Sequence, residues 1–199
     1  MKRLWLWSLV ILLVGVAAIA GVVASQPYTF HGSTIEPAFT APDLPLASTR
    51  ETSFQIEQER NKAFLVFFGY TFCPDVCPAT LGQLRQVLTK LGNQASSVEV
   101  LFVTVDPARD TAEQLKQYLR PFGSTFIGLT GSEDQLQPVW KAYGVYREIR
   151  PSGNPTAYTV DHTVRVYLID PQGRLRLTYT DASQIDWISQ DIQHVLGGG

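Results

Sequence analysis

Charge is scarce in this chain of 199 residues: Asp, Glu, Lys and Arg make up 17%, against the roughly 25% of an ordinary soluble domain. The shortage has a local cause. Residues 4–24 run without one charged side chain, so all 34 charged residues fall in the other 178 positions, 19% of them. Positive charge is not in excess either. Sixteen Lys and Arg stand against eighteen Asp and Glu, a net charge of -2, which removes the electrostatic reason to expect a nucleic-acid partner. Cysteine is limited to two residues and histidine to three. A remainder of about 178 residues suits one domain better than two and buries a core without disulfide staples, so two cysteines need not be structural. There is no repeat period, heptad run or low-complexity tract apart from the Gly197-Gly198-Gly199 tail.

Met1-Lys2-Arg3 precede the apolar run from Leu4 to Ala24, which as a helix would span about 31 Å, the thickness of a bilayer core. Two positive charges before it and none in the ten residues after it predict a cytoplasmic amino terminus and an extracytoplasmic remainder from Ser25 onward. The rival reading is a cleaved secretory signal, with Val22-Val23-Ala24 supplying the small residues of a cleavage site. The run is longer than the 7 to 15 residues of a signal core, which favours a retained single-pass anchor in the cell or inner membrane. The expected division is a membrane anchor over 1–25, a linker over 26–38 and a folded domain over 39–197.

Between Ser25 and Arg60 four prolines, Pro27, Pro37, Pro42 and Pro45, break any periodicity and predict a linker followed by an irregular or edge-strand lead-in. Regular structure follows. Ala63 to Phe68 and Val98 to Val105 are apolar runs of strand length, suited to central strands covered on both faces. Between them Leu81, Leu84, Val87, Leu88 and Leu91 form one helical stripe. Asp110-Thr111-Ala112-Glu113 reads as a capping box opening a second helix that Pro121 ends. Phe126–Leu129 reads as a short strand and Ser132–Tyr143 as a third helix. Thr163–Ile169 and Leu175–Tyr179 form a hairpin around Asp170-Pro171-Gln172-Gly173, and Ile185, Ile188, Ile192 and Val195 mark a last helix. The class is α/β: a central mixed sheet with helices on both faces, preceded by one transmembrane helix.

Both cysteines lie in Thr71-Phe72-Cys73-Pro74-Asp75-Val76-Cys77-Pro78, directly after the first central strand and before the first helix. Open sheets place ligand sites at such strand ends, and a helix amino terminus favours thiolate over thiol. Pro78 suits the first helical position, which puts Cys77 at the cap. Three chemistries fit this pair. A structural disulfide would close only a short loop, where cross-linking stabilises least. A redox-active dithiol fits the position, although three residues intervene where two are usual. A soft-metal site needs a third donor, with two thiolates selecting Cu(I), or Zn(II) given a fourth ligand. Of the histidines, His31 falls in the irregular lead-in and His194 near the end of the last helix. His162, in Val160-Asp161-His162-Thr163 before the hairpin strand, can reach the carboxyl end of the first central strand. Asp161 beside it is placed to orient the ring or to cap a turn.

Three segments, Thr71-Phe72-Cys73-Pro74-Asp75-Val76-Cys77-Pro78, Val105-Asp106-Pro107-Ala108-Arg109-Asp110-Thr111 and Tyr158-Thr159-Val160-Asp161-His162-Thr163, together resemble the SCO/SenC family of membrane-anchored copper proteins, from about Phe39 to Leu196. Thr163 stands where the family usually has serine. The resemblance implies a thioredoxin-like fold and copper, as Cu(I) or also as Cu(II), held by Cys73, Cys77 and His162. It implies delivery of copper to the binuclear copper site of cytochrome c oxidase subunit II or, as the alternative, thiol-disulfide chemistry by Cys73 and Cys77 that keeps the cysteines of that site reduced. A copper donor and a thiol reductant are implied partners. The first role is that of a metallochaperone and not an enzyme; the second would be an oxidoreductase activity. Family precedent makes Asp75 a candidate for tuning the site or docking a partner, beside its plain reading as a helix-start acid. Asp106, Arg109 and Asp110 read as a local ion pair and a cap. A thioredoxin would carry two residues between its cysteines and a proline before the hairpin strand; Pro37 to Leu44 and Tyr143-Gly144-Val145 faintly suggest a peroxiredoxin, without the context of its attacking cysteine.

Overall fold

The computed structural model describes residues 12–15, 27–50, 54–59, 61–154 and 157–198. Residues 1–30 and 31–199 form two separate units. In the first, residues 12–15 are helical, and Tyr28 meets Phe30 edge to face at 5.2 Å. The rest of the expected anchor over 4–24 lies outside the described residues, and among these no helix is long and apolar enough to cross a membrane.

The second unit is built on the two apolar runs. They form β3 (Ala63–Gly69) and β4 (Val98–Thr104), both buried at every position and paired in parallel from Ala63 against Val98 to Gly69 against Thr104. Full burial on both faces is what a strand without polar alternation requires. Around them lie β1 (Ser33–Thr40), β2 (Ala47–Ser48), β5 (Phe126–Thr130), β8 (Val166–Ile169) and β9 (Arg174–Tyr179), in the order β1-β9-β8-β3-β4-β5-β2. β5 runs parallel to β4 and β8 antiparallel to β3, so the sheet is mixed.

Four helices pack on it: α1 (Val76–Leu91), α2 (Ala112–Leu119), α3 (Glu133–Ala142) and α4 (Ile185–Leu196). The stripe Leu81, Leu84, Val87, Leu88 and Leu91 is the buried face of α1, and α4 packs beside it. Neighbouring residues of a strand point to opposite faces. Phe67 meets Phe102, on which Tyr118 of α2 packs, while Phe68 meets Tyr143 at the end of α3. Helices therefore cover both faces, as expected.

Three expectations shift. The sheet begins at Ser33, inside the stretch read as linker, because β1 pairs with β9 as an exposed edge strand that tolerates Pro37. The cap of α2 is Thr111, whose side chain accepts from Gln114 N–H, one residue after the expected Asp110. A further hairpin, β6 (Arg147–Asn154) with β7 (Ala157–His162), stands apart from the main sheet as a two-stranded ribbon.

Candidate metal centre

The site lies where the carboxyl end of β3 turns into α1. Asp75 occupies the cap position without a side-chain hydrogen bond, and Val76 opens the helix, so Cys77 sits inside the first turn and not at its cap. The Cys77 N–H points at the Cys73 sulfur, 3.5 Å away, which does the work a capping side chain would do. Cys77 is fully buried and Cys73 half-buried, both as free thiols. Gly69 makes room for them. A Cβ there would lie 2.9 Å from the Cys77 sulfur and 2.7 Å from the Phe102 ring, closer than real side chains approach.

His162 arrives from the far side, at the end of β7. Its Nε2 lies 3.6 Å from the Cys77 sulfur, and the three donor atoms of Cys73, Cys77 and His162 all lie within 4.8 Å of one another. On the ring's other side Nδ1 meets the Thr163 carbonyl at 3.1 Å. A carbonyl only accepts, so Nδ1 carries a proton there, and Nε2 is the ring nitrogen that faces the sulfurs. Phe67 and Tyr70 meet the ring edge to face at 6.3 and 5.8 Å.

The two sulfurs share one proton unequally. The hydrogen bond from the Cys77 side chain, helped by His162 and by the backbone N–H groups of Cys77 and Asp75, brings Cys73 down to about 3. Cys77 is pushed up by the same shared proton and by burial. The free protein thus presents a half-exposed thiolate over a buried thiol.

Asp161 does not serve the ring. It is next to His162 on a strand and points the other way, accepting from Arg150 Nε at 2.8 Å. Asp75 is exposed on the loop between the cysteines. His31 is held at α4 instead, where its backbone N–H and Nδ1 meet the buried Asp191 at 3.1 and 3.0 Å, and His194 is itself a residue of α4.

Around the side chains of Cys73, Cys77 and His162 lies a set of braces that one-dimensional reading does not assign. Tyr70 Oη accepts from Val160 N–H at 3.3 Å, fixing β7 to the cysteine loop. The buried Asp110 accepts from Thr71 N–H and Oγ1 and from Thr104 Oγ1, the hydroxyls at 2.7 Å, so it anchors the start of that loop. Asp106 pairs with Arg109 at 2.5 Å, the local ion pair expected, and also accepts from Tyr158 Oη at 2.7 Å. Phe72, Val76 and Val164, each next to or two residues from a cysteine or His162, are exposed apolar side chains.

A mixed sheet with helices on both faces and a Cys-Cys-His cluster at a strand-to-helix turn define a thioredoxin-like domain carrying a thiolate-imidazole site. The chain belongs to the SCO1/SenC family, whose family model matches residues 32–197. It is similar to the mitochondrial protein SCO2 of Saccharomyces cerevisiae, 38% identical over 149 residues, 70% of this chain and 48% of that one. The chain therefore spans about half the length of that relative. Among solved structures it is similar to apo Sco1 of Thermus thermophilus, with TM-score 0.75, 33% identity and coverage of 85% of this chain and 99% of that one. It is also similar to ScoI of Bradyrhizobium japonicum with copper bound, with TM-score 0.70, 31% identity and coverage of 79% and 99%.

Proposed function

We infer that the protein carries copper on Cys73, Cys77 and His162 and delivers it to the binuclear copper site of cytochrome c oxidase subunit II. The observation that carries this reading is the convergence of two sulfurs and one imidazole nitrogen within 4.8 Å. Two soft donors and one borderline donor suit Cu(I), which accepts low coordination; among the described residues no carboxylate or further histidine joins them to complete a tetrahedral zinc set. Cu(I) is the cargo, and release by ligand exchange needs an open side. Cys73 and His162 are part-exposed donors, and the exposed apolar Phe72, Val76 and Val164 adjoin the three donors in sequence. An incoming partner thiolate adds to the metal there as one of the protein's own donors leaves. The uncharged run over 4–24 supports tethering of the domain at an extracytoplasmic membrane face.

The thiolate on Cys73 supports the second reading, a thiol-disulfide oxidoreductase. Cys73 would attack a partner disulfide to give a mixed disulfide. Cys77, losing its proton, would then attack Cys73, releasing the partner as a dithiol and leaving the pair oxidised by two electrons.

The test is to titrate the reduced full chain in detergent with Cu(I) against a chromophoric chelator, for the parent and for His162→Ala, and then to add copper-free subunit II. The carrier reading expects one Cu(I) per chain, weaker binding by His162→Ala and movement of copper to subunit II. Reduction of an oxidised subunit II by the copper-free protein, with no movement of Cu(I), would favour the second reading and overturn the first.

A further inference from the structure

We propose that Arg109 is a positioning residue for the metal site: its guanidinium fixes the distance between the cysteine loop and the His162 strand. The proposal rests on the ligand set inferred above. Arg109 touches three segments that converge on the site. Its Nε donates to Asp106 beyond β4, and its Nη1 donates to the Tyr158 carbonyl of β7 at 3.1 Å, across 49 residues of sequence. Its Cζ lies 3.6 Å from the Tyr158 ring centre, 4.7 Å from that of Phe72 and 5.8 Å from that of Tyr70. Phe72 adjoins Cys73. Tyr158, Val160 and His162 share one face of β7, because residues two apart along a strand do. A plane stacked on Phe72 and on Tyr158 therefore sets both halves of the site against each other.

One atom separates this role from a plain ion pair. Arg109 Nη2 is buried and has no hydrogen-bond partner. A guanidinium placed only to neutralise Asp106, three residues away, would turn its remaining N–H groups to water. Here they are enclosed, with three aromatic rings around the guanidinium, which is the arrangement a brace between two segments requires. Tyr158 locks the same joint from its other end by donating to Asp106.

The experiment uses the reduced full chain in detergent, as Arg109→Ala, Arg109→Lys, His162→Ala and the double variant Arg109→Ala/His162→Ala. Two quantities are read: proton contacts in the copper-free state between the His162 ring and the Phe67 and Tyr70 rings by nuclear magnetic resonance, and Cu(I) affinity by chelator competition. Arg109→Ala is expected to lose the ring contacts and to bind Cu(I) about 10- to 100-fold more weakly, the usual effect of removing a group that orients a ligand. Removing His162 as well should then weaken binding no further. Arg109→Lys, which cannot meet both acceptors in one plane, should fall between. Ring contacts and affinity unchanged in Arg109→Ala, or losses from the two substitutions that add in full, would overturn the proposal. If Arg109→Ala does not fold, Arg109→Lys and Tyr158→Leu decide by the same two readouts. Parent-like affinity in His162→Ala would instead remove the ligand assignment, and the ring contacts in the copper-free variants would still decide whether Arg109 is the brace.

Discussion

The two halves of the site are held in opposite ways. Cys77 stands in the first turn of α1, a helix whose apolar stripe is wholly covered, and Cys73 on the short loop that joins α1 to β3, a strand buried at every position, so their positions follow from the core. The histidine stands on a two-stranded ribbon outside the main sheet, whose outer side carries the surface ion pairs of Arg150 with Glu148 and Asp161. Among the described residues, single side chains seat that ribbon: Val160 N–H on Tyr70, Tyr158 Oη on Asp106, Arg109 on the Tyr158 carbonyl, and Arg147 on the Val105 carbonyl and Glu133. Core burial holds the first arm, and single side-chain contacts hold the second. For the carrier proposed above, that division would fix the soft anchor and set the third donor on the less buried part.

The comparison is tested most severely at the cysteines. Cys77→Ser removes a buried soft donor that no neighbour replaces, and Cu(I) binding should vanish in the chelator titration, where His162→Ala only weakens it. In the parent, Cys73 should also react unlike an ordinary thiol. With its sulfur held ionised down to about 3 by the Cys77 hydrogen bond, lowering the pH through the neutral range does not protonate it. Alkylation of Cys73 in copper-free protein should stay nearly level from about pH 8 to pH 5, whereas a thiol with a pKa of about 8.5 slows about tenfold per unit. A tenfold fall per unit at Cys73 would show that the two sulfurs do not share a proton in this way.

Gly69→Ala tests the stiffness of the first arm. The added methyl would meet the Cys77 sulfur at 2.9 Å and the Phe102 ring at 2.7 Å, and neither is the free end of a flexible chain. Overpacking of this kind costs about 1–3 kcal/mol, to be read in chemical denaturation, and displaces Cys77 enough to weaken Cu(I) binding. On the second arm, Tyr70→Phe deletes the acceptor of Val160 N–H at the long distance of 3.3 Å. The expected effect is smaller, about 1 kcal/mol, and local. Amide exchange should quicken in β7 and stay unchanged in β3. Equal quickening in both strands would mean that the ribbon and the sheet open together.

The same division decides what the sequence discloses. β3, β4 and the stripe of α1 are legible because unbroken burial needs unbroken apolar residues, and the cysteines are legible because they adjoin those elements. The hairpin β6–β7 is not. Arg147-Glu148-Ile149-Arg150-Pro151-Ser152-Gly153-Asn154 carries charge, proline and glycine where a strand signal needs alternation, since a ribbon outside the sheet buries little. Asp110 was legible as polar at a helix start but not as buried, because its partners Thr71 and Thr104 come from two other segments. Arg109 declared its near partner Asp106, three residues away, while Tyr158 is 49 residues off and no local pattern announces it.

The smallest effect should come from Asp161, although it adjoins the histidine. Strand geometry sends neighbouring side chains to opposite faces, so a residue next to His162 in sequence is among the worst placed to touch its ring. The Asp161 carboxylate is accordingly engaged by Arg150 at 2.8 Å, with both side chains about half exposed, and the ring's Nδ1 is met by Thr163. An exposed pair of this kind contributes little to stability. Asp161→Asn should therefore leave the denaturation midpoint nearly unchanged and Cu(I) affinity equal to that of the parent. A carboxylate that oriented the imidazole would instead show itself as a tenfold or greater loss of affinity at unchanged stability, and that result would mean the ribbon turns over when copper binds.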